Sequence, residues 1–414
     1  MFKDELPYWS SRDYISRLEW QLVDSQRFEI VVVGAGPAGL QAAIAAAEGG
    51  ASVLLLDKKT TIGMPVKCGE YFPCKEEMLD LLPGAEDFEH LFEMPPDVIA
   101  NTCETLRMFS PRGKCWEFPF KAYVLDRILL EQKMAREANR LGVEIRLGRR
   151  VRFSEDQRKI EVGTTEPECL DAEVVIAADG FPSEVATSGG LVCDRYMRPE
   201  NVAINYQYVM DNLTVEPDVT EMYMSTVIAP GGYGWIIPKS STTANIGIGI
   251  RTTFKSGRAK DRLDYFVHKC SFTTAKSHSG NILTMIADPL PIDGAVSRTY
   301  SDRLLLVGDA AGMVMATNGG GIPTAMVSGR IAGEIAALHV RKNTPLSSYE
   351  TKWKSVFGHQ LSNSARMRRF ADIFMRHDRI FDRTMRILQT SGIKKVVTCN
   401  IPGGVDILMR ILGY

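Results

Sequence analysis

The chain has 414 residues, 45% hydrophobic and 24% charged, the profile of a globular protein with core enough for two or three domains. A formal net charge of -1 excludes the broad basic surface of a nucleic-acid binder. Eight cysteines without a C-x-x-C pair and six scattered histidines exclude a disulfide scaffold and predict no metal site. No apolar run reaches the roughly 18 residues of a membrane span, so a cytoplasmic protein with reduced thiols is expected.

Residues 1–27, opening MFKDELPYWSSRDY, are acidic and aromatic, unlike a secretory leader, and predict a short capping arm. Ile30 to Val33 then reads as a buried strand, followed by the turn Gly34-Ala-Gly36-Pro-Ala38-Gly39 and an alanine-rich helix. A second strand, Ser52 to Leu56, ends at Asp57. Gly34 permits a tight turn, Gly36 lets the backbone approach a pyrophosphate, and Gly39 lets helix and strand pack closely. Asp57, 18 positions after Gly39, stands near the spacing at which a carboxylate takes ribose hydroxyls. Strand, turn, helix, strand and acid together predict dinucleotide binding, and Lys58 and Lys59 leave NADP open at this point.

GMPVKCGEYFP follows, carrying Cys68 and Glu70. TLRMFSPRGKCWEF predicts a hairpin turning at Pro111 to Gly113, and Tyr123 to Leu141 a helix containing Arg127. EIRLGRRVRFSEDQRKIEVG predicts a small meander, and AEVVIAADGFPS a strand leaving at Asp179-Gly180. Four alternating segments between Asn201 and Thr252 predict one antiparallel sheet. In one of them, PGGYGWIIP, residues two apart share a face, so Tyr233, Trp235 and Ile237 form a wall facing either sheet core or a ligand. Leu304 to Val307 is a further strand running into Gly308-Asp309, and Gly319, Gly320 and Gly321 open an apolar helix at Ile322. Beyond Ser347 the chain reads as helical. Phe370, Phe374, Phe381, Met385 and Leu388 recur at helical spacing, and residues 366–414 hold ten Lys/Arg against four Asp/Glu. That stripe either packs on the core or lies on a membrane surface and guides a lipid tail.

The G-x-G-x-x-G turn, Asp179-Gly180 and Gly308-Asp309, in that order, resemble FAD-dependent enzymes of the p-hydroxybenzoate hydroxylase type. The resemblance implies FAD, with Gly34, Gly36, Ala38, Gly39, Asp57 and Lys58 at the adenosine diphosphate end and Arg127 near the phosphates. It puts Asp309 on the ribityl chain, Asp179 in the cofactor site, and the backbone of Gly308, Gly319 to Gly321 and Ile322 beside the flavin. It also implies an α/β fold: a Rossmann-like FAD-binding domain over 28–95, 121–190 and 295–345, with an inserted antiparallel-sheet substrate domain over 96–120 and 191–294. A helical C-terminal region, 346–414, follows.

Pro230-Gly-Gly-Tyr233-Gly-Trp235-Ile-Ile237-Pro238 resembles the P-x-x-Y-x-W-x-F-P motif of geranylgeranyl reductases, departing at Ile237. PVKCGE resembles the cysteine loop beside the flavin in archaeal members of that family. This implies saturation of isoprenoid C=C bonds of a geranylgeranyl lipid or diphosphate, by hydride from reduced flavin N5 plus a proton. Tyr233, Trp235 and Ile237 would bind the polyprenyl chain, and Cys68 and Glu70 are the candidates for the proton; the plainer reading of Cys68 is a small buried hydrophobe. No second G-x-G-x-x-G follows a strand, so an external reductant (NADPH, ferredoxin or a deazaflavin) is expected. Peripheral membrane contact through the basic C-terminal face is the remaining partner. The alternatives are an aromatic monooxygenase or halogenase of the same fold and an electron-relay flavoprotein.

Overall fold

The computed structural model describes residues 28–154, 159–163, 168–192, 194–254, 257–277 and 279–413, so the arm expected over 1–27 lies outside the described residues. A five-stranded parallel sheet carries the strands Leu304–Leu306, Ala172–Ala177, Phe28–Val33, Val53–Asp57 and Glu144–Leu147, in that spatial order. Ile30 to Val32 and Leu54 to Leu56 are wholly buried, as continuous apolar strands covered on both faces must be. The helix Pro37–Glu48 and the long helix Ile322–Lys342 cross with their backbones nearly touching. A Cβ on Gly329 would stand 2.0 Å from the Ala38 carbonyl oxygen, and one on Gly333 2.2 Å from that of Ala42. Small residues on both helices bring the 319–321 turn alongside the first glycine turn.

An eight-stranded sheet forms the second layer. Its order is Asn281–Pro291, Val202–Asp211, Ala244–Ile250, Tyr233–Pro238, Val219–Tyr223, Ile99–Phe109, Cys115–Leu125 and Tyr71–Pro73. Its pairs are antiparallel except Val219–Tyr223 against Ile99–Phe109, which run parallel. The hairpin turns where expected, with Ser110 N–H donating to the Lys114 carbonyl at 2.8 Å and Gly113 at φ +80°. Its second arm continues to Leu125, so Tyr123–Leu125 are strand, and the helix begins only after Asp126 caps it by accepting from Leu129 N–H. The expected meander divides: Glu144–Leu147 joins the parallel sheet, while Val151–Phe153, Ile160–Val162 and Glu168–Leu170 form a small antiparallel sheet.

The aromatic stripe beyond Ala365 runs over two helices, not one. His359–Ala371 ends, and Asp378–Val397, itself broken by a kink at Gln389 (φ +54°), starts afresh with Asp378 accepting from Thr226 N–H at 2.8 Å. Met385, Ile393 and Val397 pack on Phe118, Phe120 and Met222 of the large sheet. The C-terminal helices therefore roof that sheet, and no described helix is long and apolar enough to cross a membrane.

Candidate active site

The first glycine turn is held by close approaches that only glycine allows. A Cβ on Gly34, at φ +109°, would lie 2.1 Å from the Ala178 oxygen, and one on Gly39 1.8 Å from the Gly34 oxygen. At Gly36 a Cβ would meet nothing within 4 Å, so the turn is open on the side a phosphate would approach. Pro37 starts the helix, whose first free N–H groups face that opening. Asp57 closes the turn from below, accepting from Ala35 N–H at 2.6 Å and Lys59 N–H at 2.7 Å, with Lys58 exposed beyond it.

At the other end, Gly308 at φ +55° packs on Ala38 and Ala325. The half-buried Asp309 carboxylate has no hydrogen-bonding partner among the described residues, although its backbone oxygen accepts from Gly312 N–H and the Tyr196 hydroxyl. Burial, reinforced by the charge of Asp288, pushes its pKa up to about 6, against the pull of Arg127. A polar group with hydroxyls to offer is what that carboxylate lacks. The open backbone at Gly36 and the unpartnered Asp309 thus fit the two ends of one FAD molecule. The Gly319–Gly321 turn lies between them and the large sheet; the N–H groups that start the following helix at Ile322 lack intrahelical partners. Arg127 ion-pairs with Glu131 and faces both the Cys68 thiol and Asp309.

The Asp179 carboxylate is engaged by protein groups. It accepts from the Ser183 hydroxyl at 2.6 Å and from Glu184 and Val185 N–H at 2.8 and 3.2 Å, which makes it the anchor of a short helix. Glu70 is likewise engaged by protein groups. It sits at φ +63°, is buried, and its carboxylate accepts from Lys239 at 2.6 Å and Asn245 at 2.9 Å, outside the cavity described next. The ion pair with Lys239 and the Asn245 hydrogen bond hold the loop.

Cys68 faces an apolar cavity of about 340 Å³. Burial raises its thiol pKa while Arg127 opposes the shift, so the thiol is protonated at neutral pH. Tyr233 and Trp235 stand side by side, ring centroids 5.9 Å apart, with Ile237 in the same cluster lining the same cavity. The Trp235 ring lies flat over Gly247, where a Cβ would come within 2.4 Å of it. Tyr233 donates to the Asn318 carbonyl oxygen at 2.5 Å, tying the wall to the 319–321 turn. Trp235 Nε1 donates to Gln207 Oε1 at 2.9 Å, and Gln207 Nε2 donates to the Cys68 carbonyl oxygen at 3.0 Å. Tyr71, Phe120 and Met222 of the sheet and Phe374, Phe381 and Leu388 of the C-terminal region line the same cavity. The C-terminal stripe therefore packs on the sheet and lines the cavity at once.

Gln207, Asn245, Asn318 and Lys239 escape a motif reading because each acts from a different strand or loop. One signal was available: in ANIGIGI the glycines occupy one face of the strand, opposite the isoleucines, where a flat ring can rest. Two buried arginines, Arg251 and Arg368, also border the cavity. Arg251 pairs with Asp372, and Arg368 with Asp293 at 2.9 Å, yet Arg368 Nε has no acceptor among the described residues. Among the described residues no group of His, Cys, Asp and Glu is arranged to hold a metal ion.

A parallel sheet with a dinucleotide turn, an unpartnered aspartate where a ribityl chain would lie, and a large sheet over an apolar cavity define an FAD-dependent oxidoreductase. The family model for FAD-dependent oxidoreductases matches residues 29–64, and that for the geranylgeranyl reductase catalytic domain matches residues 201–287. The chain is 35% identical to digeranylgeranylglycerophospholipid reductase 2 of Methanopyrus kandleri, over 80% of this chain and 83% of that protein. It is 34% identical to the digeranylgeranylglycerophospholipid reductase of Methanosarcina acetivorans, over 81% and 83%. A solved geranylgeranyl bacteriochlorophyll reductase-like protein from Thermoplasma acidophilum superposes with a TM-score of 0.78 at 25% identity, covering 93% of this chain and 99% of its own. The chain belongs to the geranylgeranyl reductase family. The flavin-dependent brominase Bmp2, at 17% identity and a TM-score of 0.68 over 93% and 98% of the two chains, shares the fold alone.

Proposed function

We propose that the protein saturates isoprenoid C=C bonds of a geranylgeranyl-bearing phospholipid. The observation that carries this reading is the apolar lining of the cavity, which brings Cys68 and the 319–321 turn together with the C-terminal phenylalanines. Such a lining suits a long apolar chain, whereas a compact phenol or pyrrole needs a pocket with polar anchors. The glycine turn at Gly36 and Asp309 would hold FAD, which when bound and reduced would supply the hydride. The chain's own residues do the rest. Tyr233 and Trp235 are rigid and lose little entropy when they hold an alkene at fixed height. Cys68 keeps a proton in reach of the second alkene carbon, and Arg127 stabilises the thiolate left after its transfer. The reducing equivalents come from an external donor, a nicotinamide, a ferredoxin or a deazaflavin.

The test is anaerobic. Dithionite-reduced holoprotein is mixed with a digeranylgeranyl phospholipid while flavin absorbance and product mass are followed. Reoxidation without oxygen, with mass rising by two hydrogens per bond, is expected. Flavin that stays reduced until oxygen enters would shift the reading to a monooxygenase or halogenase.

A further inference from the structure

The last described helix, Gly403–Ile411, is apolar on two faces. Val405 and Met409 turn inward, Met409 fully buried and Val405 on the cavity wall. Ile407, Leu408, Ile411 and Leu412 turn outward, Ile411 73% exposed and Ile407 62%. Positions 407, 408, 411 and 412 form one stripe on a helix, so the exposed apolar groups are contiguous and not scattered. The helix Asp378–Val397 repeats the pattern: Phe381 and Leu388 line the cavity while Ile380 and Ile387 are exposed. On the same segment as Ile380 and Ile387, Arg379, Arg383 and Lys395 are exposed and form no ion pair among the described residues. A stripe of large aliphatic side chains on the surface, flanked by unpaired cations, is the pattern of a helix lying in the headgroup region of a bilayer.

We propose that these two helices dock the protein on an anionic lipid surface, with the roof of the cavity as the docking face. The argument is charge complementarity together with continuity: each helix shows one side to the cavity and the other outward. A lipid chain leaving the bilayer beside Ile407 then meets Val405, Leu388 and Phe381 without crossing water. The inference deepens the reading of the cavity as a lipid-chain site.

Flotation of the full-length holoprotein with vesicles tests it and requires no turnover. Phosphatidylglycerol–phosphatidylcholine vesicles should carry the protein upward, and pure phosphatidylcholine vesicles should carry much less. Ile407→Glu/Ile411→Glu should lower binding to anionic vesicles by about tenfold or more. The same variant should keep its flavin and its turnover of detergent-dispersed substrate. Arg379→Gln/Arg383→Gln, which leaves the apolar stripe intact, should weaken binding less and remove its salt dependence. Equal flotation of wild type and variants would overturn the proposal. So would a wild-type dimer in light scattering that the isoleucine substitutions dissociate, since the face would then belong to a second copy. Flotation without alkene reduction would retain the docking face and remove the proposed substrate.

Discussion

The cofactor cradle and the substrate cavity lie side by side but are specified in different ways. The cradle depends on a few glycines whose neighbours are backbone atoms: Gly34 on Ala178, Gly39 on Gly34, Gly329 on Ala38. The cavity depends on side chains that meet only after the large sheet is in register, such as Trp235, Gln207 and Cys68. A cradle of backbone contacts tolerates almost no change at its glycines. A cavity of side-chain contacts tolerates many changes with graded loss of function. That difference can be tested position by position.

The largest effect should come from Gly329→Val. A Cβ 2.0 Å from the Ala38 oxygen forces the two long helices apart, at a cost above about 4 kcal/mol. The variant should purify without flavin absorbance and melt early. Gly36→Ala is its control, because a Cβ there meets nothing within 4 Å. That variant should fold normally and lose only FAD affinity.

Two neighbours in the cysteine loop sharpen the contrast. Glu70→Gln leaves Lys239 without its partner and should cost about 3 kcal/mol in urea unfolding, partly recovered by Lys239→Met. Cys68→Ala should leave stability and bound FAD unchanged while alkene turnover falls about a hundredfold. Unchanged turnover would remove Cys68 from the proton step.

Asp309 gives a pH signature. Burial raises its carboxyl from 3.8 to about 6 in the apoprotein, so the folded state holds a proton that the unfolded chain has released. Its stabilisation is complete below about pH 4 and is lost as pH rises through about 6. Asp309→Asn should therefore flatten the pH dependence of apoprotein unfolding and raise apoprotein stability at pH 7 by about 2 kcal/mol. The same substitution should weaken FAD binding in a fluorescence titration.

The smallest effect belongs to the link between wall and loop. Gln207→Leu leaves the Trp235 N–H and the Cys68 carbonyl unpaired. It should lower kcat/KM about tenfold with flavin occupancy intact, a change of about 1.4 kcal/mol.

The same contrast explains what could be read from the amino-acid order. The parallel sheet, the glycine turns, Asp309 and the shared face of Tyr233 and Trp235 follow from local patterns, because turn chemistry and alternation act over a few residues. The partners of Asp179 and Glu70 were hidden for a single reason. A carboxylate beside a glycine looks available in a sequence, and only the folded neighbours show it engaged, by Ser183 in one case and Lys239 in the other. The two-helix roof was hidden because Phe370 and Phe381 keep a helical phase across a break whose partners, Arg251 and Thr226, are more than a hundred residues away. The dual role of the phenylalanine stripe was hidden for the same reason.

The central claim is that the path beneath the C-terminal helices holds an isoprenoid chain against the flavin. A crystal structure of the holoprotein with a C20 prenyl alcohol addresses it most directly. The account predicts density running from beside Cys68, along Trp235 and Phe120, to Phe381, with an alkene over the isoalloxazine. A chain bound elsewhere, or a path closed by the roof helices when FAD is present, would contradict it.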